Sequence, residues 1–239
     1  MRPRMSRSRG KGKERTREDR ERKKKEEDFL NWVPKTQLGK DIAAGKIKNV
    51  DEIFNANQKI FESEIIDSLF PNGESDLINI GQAKGKFGGG KRRPWRQTQK
   101  KTCEGNVPTF ACLTVFGDKN GHVGLGMGRA KETVPAKEKA LKQAKLNLMT
   151  VKRGCGSFNC TCNEPHSIPF KVEGKCGSSR LVLIPAPKGT GLAIDDECKK
   201  ILRLAGIKDI YSNAFGQTRT KINMAKACID ALQKLDKFV

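Results

Sequence analysis

One stretch restricts the fold more than any other: "TFACLTVFGDKNGHVGLGMGRAKETVPAKEKALKQAKLNLM", residues 109–149. Two strand-like runs flank Asp118, Lys119, Asn120 and Gly121, and an Asn-Gly pair tolerates positive φ at a tight turn, so the spacing predicts a β-hairpin. A helical pattern follows at once, with Pro135 in its first turn and Ala140, Ala144 and Leu148 spaced to line one face. Lys137, Lys139, Lys142 and Lys145 then fall mostly on its outward side. Upstream, "ESEIIDSLF" (62–70) reads as a short amphipathic helix stopped by Pro71, Asn72 and Gly73. The first folded unit therefore runs helix, strand, hairpin, helix.

A second unit follows in a different order, with no internal repeat. "HSIPFKVEG" (166–174) alternates Ile168, Phe170 and Val172 as a strand, the chain turns over 174–177, and "RLVLIPAP" (180–187) is the return strand. A Pro- and Gly-rich loop, "PAPKGTGL", ends it. Asp195, Asp196 and Glu197 suit a helix N-terminus, Ile201, Leu202 and Ala205 supply the apolar face of that helix, and Gly206 can cap it. "IKDIYSNAF" (207–215) predicts another strand. A last helix from about Lys221 carries Ile222, Ala225, Ile229 and Leu232 on one face.

Charge indicates the partner. The 239 residues hold 48 Lys and Arg against 27 Asp and Glu, a net +21 that repels itself unless a polyanion screens it. Nucleic acid is the first candidate and an anionic membrane the second. Residues 1–28 hold thirteen basic and seven acidic side chains and no aliphatic or aromatic group beyond Met1 and Met5, a composition that predicts a disordered basic arm. Most of the excess charge therefore lies on the folded body. The stretch "AKGKFGGGKRRPWRQTQKK" (83–101) reads as a loop in which Trp95 can stack on a base while Lys91, Arg92, Arg93 and Arg96 reach phosphates. No run approaches the roughly 20 apolar residues of a membrane span, and the N-terminus is charged where a signal peptide needs an apolar core, so a soluble, intracellular protein is expected.

In that setting eight cysteines are expected to be reduced, and clustering points to metal before disulfide. Cys112, Cys198 and Cys228 fall on core faces and read as small hydrophobes. One cluster remains, "RGCGSFNCTCNEPHSIPF" (153–170), in which Cys155, Cys160, Cys162 and His166 make a complete donor set for zinc. Their spacing is not a standard C-x2-C knuckle. Catalytic patterns are thin. "GKFGGGK" (85–91) fits a P-loop frame, but Arg92 replaces the magnesium-binding hydroxyl and Pro94 stands where the helix would start. "GLGMGRA" misplaces the third glycine of a dinucleotide loop and follows a hairpin. His122 and His166 lack a patterned nucleophile, so no enzyme, no catalytic residue and no small-molecule substrate is expected.

"WVPKTQLGK", "GKIKNVDEI", "ESEIID", "GHVGLGMGRAKE", "KRG", "PHSIPFKVEGKCGS", "LIPAPKGTGL" and "LRLAGIKDI", in this order over 32–235, together resemble the universal small-subunit ribosomal protein family called S-five in bacteria and S-two in eukaryotes, in its archaeal-type version. The resemblance implies an α+β fold: an N-terminal double-stranded-RNA-binding-like domain, then a C-terminal α/β domain of the type named after this family. The chain then divides into the basic arm (1–28), an N-terminal extension and helix (29–76), the RNA-binding-like domain with a basic Gly-rich insertion at 81–95 (77–152), a Cys-rich linker (153–165) and the C-terminal domain (166–239). It implies a structural constituent of the cytoplasmic small ribosomal subunit that binds its rRNA near the decoding region and supports translational accuracy. Neighbouring ribosomal proteins such as S-four and S-eight are the implied protein partners. The RNA-facing loops carried over are Lys152, Arg153 and Gly154, and Lys188, Gly189, Thr190 and Gly191, with Arg180, Arg219 and Lys221 as additions. Bacterial and eukaryotic forms carry a similar histidine segment without this cysteine set, which weakens His166 as a ligand and makes Cys176 an alternative fourth one. A free zinc-containing duplex-RNA-binding regulator is the alternative reading.

Overall fold

The computed structural model describes residues 32–47, 49–56, 58–83, 92–162 and 164–237. The basic arm, Lys91 and the P-loop-like glycines at 85–90 lie outside the described residues. In chain order the elements are helices α1 (Gln37–Ala43), α2 (Val50–Asn55) and α3 (Ser63–Leu69), strands β1 (Glu74–Ile78), β2 (Arg96–Thr102), β3 (Gly105–Gly117) and β4 (His122–Ala130), helix α4 (Thr133–Leu146) and strand β5 (Leu148–Thr150). The second half adds β6 (Val172–Cys176), β7 (Ser179–Pro185), β8 (Leu192–Ala193), α5 (Asp196–Ala205), β9 (Ile210–Phe215) and α6 (Lys221–Lys237).

The expected hairpin is β3–β4, and β3 is its spine. Its second half is buried and pairs antiparallel with β4 on one edge and β1 on the other. Its exposed first half pairs with β2, so the basic stretch expected to be a loop through 101 is a strand from Arg96 onward. The left-handed turn residues are Lys119 (φ 64°) and Gly121, not Asn120. The "GLGMG" glycines form the seam with α4: a Cβ on Gly124, Gly126 or Gly128 would stand 2.1–2.2 Å from a carbonyl of Ala144, Ala140 or Ala136. The helix lies on bare backbone, which accounts for alternating Gly facing Ala at four-residue spacing. Leu148, expected on the helix, begins β5 instead, because α4 ends at Leu146 with Asn147 as its C-cap.

The second sheet runs β6-β7-β9-β8, antiparallel except for the β8–β9 pair. The strand expected from His166 begins only at Val172; residues 166–171 form an irregular segment around Pro169. Gly206 ends α5 in the left-handed conformation as expected (φ 82°). The two sheets share one core. Ile78, Leu113, Val115 and Val123 of the first pack in the same cluster as Ile201, Leu202 and Ile207 of the second half. Polar contacts reinforce this joint: the Lys119 N–H donates to Leu204 O (2.8 Å), and Glu197 accepts from the Asn79 backbone and side chain (both 2.8 Å).

The N-terminal extension contains more structure than its turn-rich sequence suggests. α1, α2 and α3 pack on Phe116, Ala144 and Leu148. His122 locks them down: Nδ1 meets Asp118 Oδ2 at 2.8 Å and Nε2 meets Asp51 Oδ1 of α2 at 3.0 Å. Burial alone would lower the His122 pKa, but hydrogen bonds and charge from Asp118, then from Asp51, raise it. Lys145 is also not on the open face expected for it. It is buried, with Nζ 2.6 Å from both carboxylate oxygens of Asp67 on α3.

Candidate metal centre and nucleic-acid interface

The Cys-rich segment folds back on the start of the second unit. Gly154 and Ser167 exchange two backbone hydrogen bonds of 2.9 Å, and the Gly156 N–H donates to Ile168 O. A Cβ on Gly156 would sit 2.0 Å from Pro169 O, so only glycine lets the chain lie this close. The fold-back brings Cys155, Cys160, Cys162 and His166 together, with all four donor atoms within 4.8 Å of one another. Cys162 Sγ is 3.7 Å from Cys155 Sγ, and Cys160 Sγ is 3.7 Å from His166 Nε2. A tetrahedron of ligands about 2.3 Å from zinc has edges of about 3.8 Å, so these two pairs already stand at ligand spacing. Cys160 and Cys162 are closer, 2.8 Å between sulfurs, and are free thiols. The cluster could hold a metal ion. Cys176 is not part of it: at the end of β6 it packs against the core. His166 therefore supplies the fourth donor.

The electrostatics favour the thiolate at one of the three sulfurs. The Cys162 thiol, followed by the Lys188 N–H, holds Cys160 down at about 6, while the Cys160 sulfur pushes Cys162 up to about 11. Metals bind thiolates, so a cation among these sulfurs would displace their protons. Behind the ring, His166 Nδ1 lies 2.9 Å from Asp209 Oδ2, in a direction short of a formed hydrogen bond; both side chains are buried. A carboxylate behind a ligating histidine is the usual orienting partner. Asp209 had no signal in the sequence beyond its place in a strand pattern.

The same carboxylate organises the expected RNA loop. Asp209 Oδ1 accepts from Gly189 N–H (3.1 Å) and Gly191 N–H (2.8 Å). Those amides are therefore not offered to a phosphate; the loop presents the exposed Lys188 side chain, whose ammonium pairs with Glu164 (2.7 Å), while Thr190 donates inward to Pro187 O. Next to the loop, a groove of about 850 Å³ lies between the two units, lined by Lys119, Arg153, Lys199, Arg203 and Lys208 with Glu164 as its one carboxylate. Arg153 spans its rim by donating to Lys119 O and Asn120 O. Lys152 is exposed, 3.6 Å from Asp236. Arg180 and Arg219 are exposed, whereas Lys221 pairs with Asp195. Arg92 and Arg93 lead into the exposed β2, which adds Arg96, Lys100 and Lys101. Trp95 is half-buried, with part of its ring packed on the cluster of Cys112, Ala136 and Ala140.

Comparison with known proteins fits this layout. Residues 95–152 match the family "Ribosomal protein S5, N-terminal domain" and residues 174–239 match "Ribosomal protein S5, C-terminal domain". The chain belongs to the ribosomal protein S5 family. Similar S5 relatives include the "Small ribosomal subunit protein uS5" of Nanoarchaeum equitans, 51% identical over 85% of this chain and 87% of that one. Those of Thermofilum pendens (47%, 87% and 95%) and Staphylothermus marinus (44%, 90% and 93%) extend the similarity over nearly whole chains. The S5 archaeal-type assignment and the α+β fold are thereby established. The Cys/His segment lies between the two matched S5 domains.

Proposed function

We propose that this S5-family chain is a structural, non-catalytic constituent of the small ribosomal subunit in the cytoplasm, binding small-subunit rRNA near the decoding region and supporting translational accuracy. The observation that carries the reading is the match to both S5 domains in order, together with 44–51% identity to relatives named as small-subunit proteins. The basic groove and loops supply the chemistry: exposed Lys and Arg positioned to neutralise phosphates. Of the carried-over residues, Lys152, Arg153, Lys188, Arg180 and Arg219 have side chains that reach solvent or the groove. The S-four and S-eight proteins are the neighbours this placement implies. The division at 77–152 and 166–239 serves the same role, setting RNA-binding surface on both sides of the Cys-rich segment. The ion we assign to the Cys/His centre is zinc, for which three thiolates and an imidazole form a closed structural site with no open position for chemistry.

Sedimentation tests the function. The tagged chain should travel with the small subunit, and its affinity for the rRNA should fall steeply with salt. A chain that stays at the top of the gradient, or a large non-ribosomal pool on regulatory RNA, would overturn the assignment in favour of a free RNA-binding regulator.

A further inference from the structure

The geometry points to Asp209 as the positioning residue through which the metal centre controls the order of the 188–191 loop, so that the grip of this loop on RNA depends on the bound ion. The inference rests on the metal reading above and adds a consequence to it.

The observation is a back-to-back arrangement with few alternatives. His166 Nε2 faces the sulfurs and Nδ1 faces Asp209, while the Lys208 and Asp209 N–H groups both donate to His166 O (2.9 and 3.2 Å). The backbones of the ligand and of its orienting carboxylate are thus tied together, and their side chains are only 3% and 6% exposed. The other oxygen of the same carboxylate carries the two glycine amides that hold the loop in shape. Gly189 and Gly191 have φ of 91° and 75°, and nothing lies within 4 Å of a Cβ at either. No packing holds either glycine in place, and the amides of both are fixed by Asp209. Of the loop's other anchors, Lys188 Nζ pairs with Glu164, two residues beyond Cys162, while Thr190 N–H and Oγ1 donate to Pro187 O and the Ile210 N–H donates to Gly191 O.

The coupling follows from histidine chemistry. A metal on Nε2 requires the ring proton on Nδ1, so ligation aims an N–H at Asp209 and satisfies the buried carboxylate from its third side. Without the metal, the imidazole can carry its proton on Nε2 and turn a lone pair toward Oδ2. A buried carboxylate facing a lone pair is destabilised, and relief comes from opening the segment with least packing, which is the glycine loop. Metal binding and loop order then favour each other, as linked equilibria must.

Hydrogen exchange on the full chain tests this, with zinc bound and after chelation. Zinc should slow exchange in the 188–192 amides at least about tenfold. Asp209→Asn keeps an oxygen for the glycine amides but removes the carboxylate from His166; it should weaken zinc about 10- to 100-fold. Its loop should exchange alike with and without saturating zinc, while exchange in β3 stays as in the unaltered chain. Zinc uptake by the unaltered chain with loop exchange unchanged would overturn the coupling and leave the metal centre standing. Failure to take up zinc at all would overturn both. The comparison in the unaltered chain decides the matter even where the variant folds poorly.

Discussion

Replacing Gly126 by alanine tests the seam on which the first unit is built. The added methyl would lie 2.2 Å from Ala140 O, 2.2 Å from Ala144 N and 2.8 Å from Ala144 Cα. All three are helix backbone, so no side chain can swing away, and ordinary contact is restored only by lifting α4 roughly 1 Å off β4. Overpacking of this kind costs about 1–3 kcal/mol, and the rigid neighbours place it at the upper end, about 3 kcal/mol. For a chain of this size the slope of stability against urea is about 3 kcal/mol per molar, so the midpoint should fall by about 1 M with the slope unchanged. Gly105→Ala is the control. Gly105 has φ of 121° and no atom within 4 Å of a Cβ, so it reports backbone strain alone, about 1 kcal/mol. Equal midpoint shifts for the two variants would refute the seam as the reason for glycine in "GLGMG".

Other consequences are equally open to measurement. His122 has its folded pKa raised by Asp118 and Asp51, so its contribution to docking the N-terminal extension is complete below the unfolded value of about 6.5 and is lost as pH rises through the folded value. The lowered pKa of Asp118 acts oppositely, its contribution being lost as pH falls into the acid range. Urea titrations at pH 6 and pH 9 should therefore differ less in Asp51→Asn than in the unaltered chain. Asp67→Ala strands the Lys145 ammonium, whose side chain is 8% exposed; the loss should be about 2 kcal/mol, moderated because Asp67 is 40% exposed. Replacing Cys155, Cys160 and Cys162 together by serine should abolish binding of about one zinc per chain, and cobalt in the unaltered chain should show thiolate charge-transfer absorption that the triple variant lacks.

The hairpin, α4, α5 and α6 were legible because each buries one periodic face against a core. β2 was not, since "RQTQKKT" is exposed along its whole length and carries no alternation to read. β8 is two residues long and is defined only by its parallel neighbour β9. The pattern of Ile168, Phe170 and Val172 suggested a strand too early, because Pro169 and the Gly154–Ser167 bridge commit that segment to the fold-back beside the Cys/His cluster. At the site, the three thiols and His166 were visible as a donor set, but choosing His166 over Cys176 needed the fold-back. Asp209 was invisible, because its role arises from contacts with residues distant in sequence. Lys145 went astray for a related reason: a cation in a basic stretch looks solvent-facing until Asp67 is placed against it.

The most direct test of the account is a density map of small ribosomal subunits purified from the source cells without chelator. The account predicts one copy of this chain in each subunit, with Lys188 and the interdomain groove against RNA. It also predicts a strong peak about 2.3 Å from the sulfurs of Cys155, Cys160 and Cys162 and about 2.0 Å from His166 Nε2. Subunits that lack the chain, or that contain it with no peak among those four side chains, would contradict it.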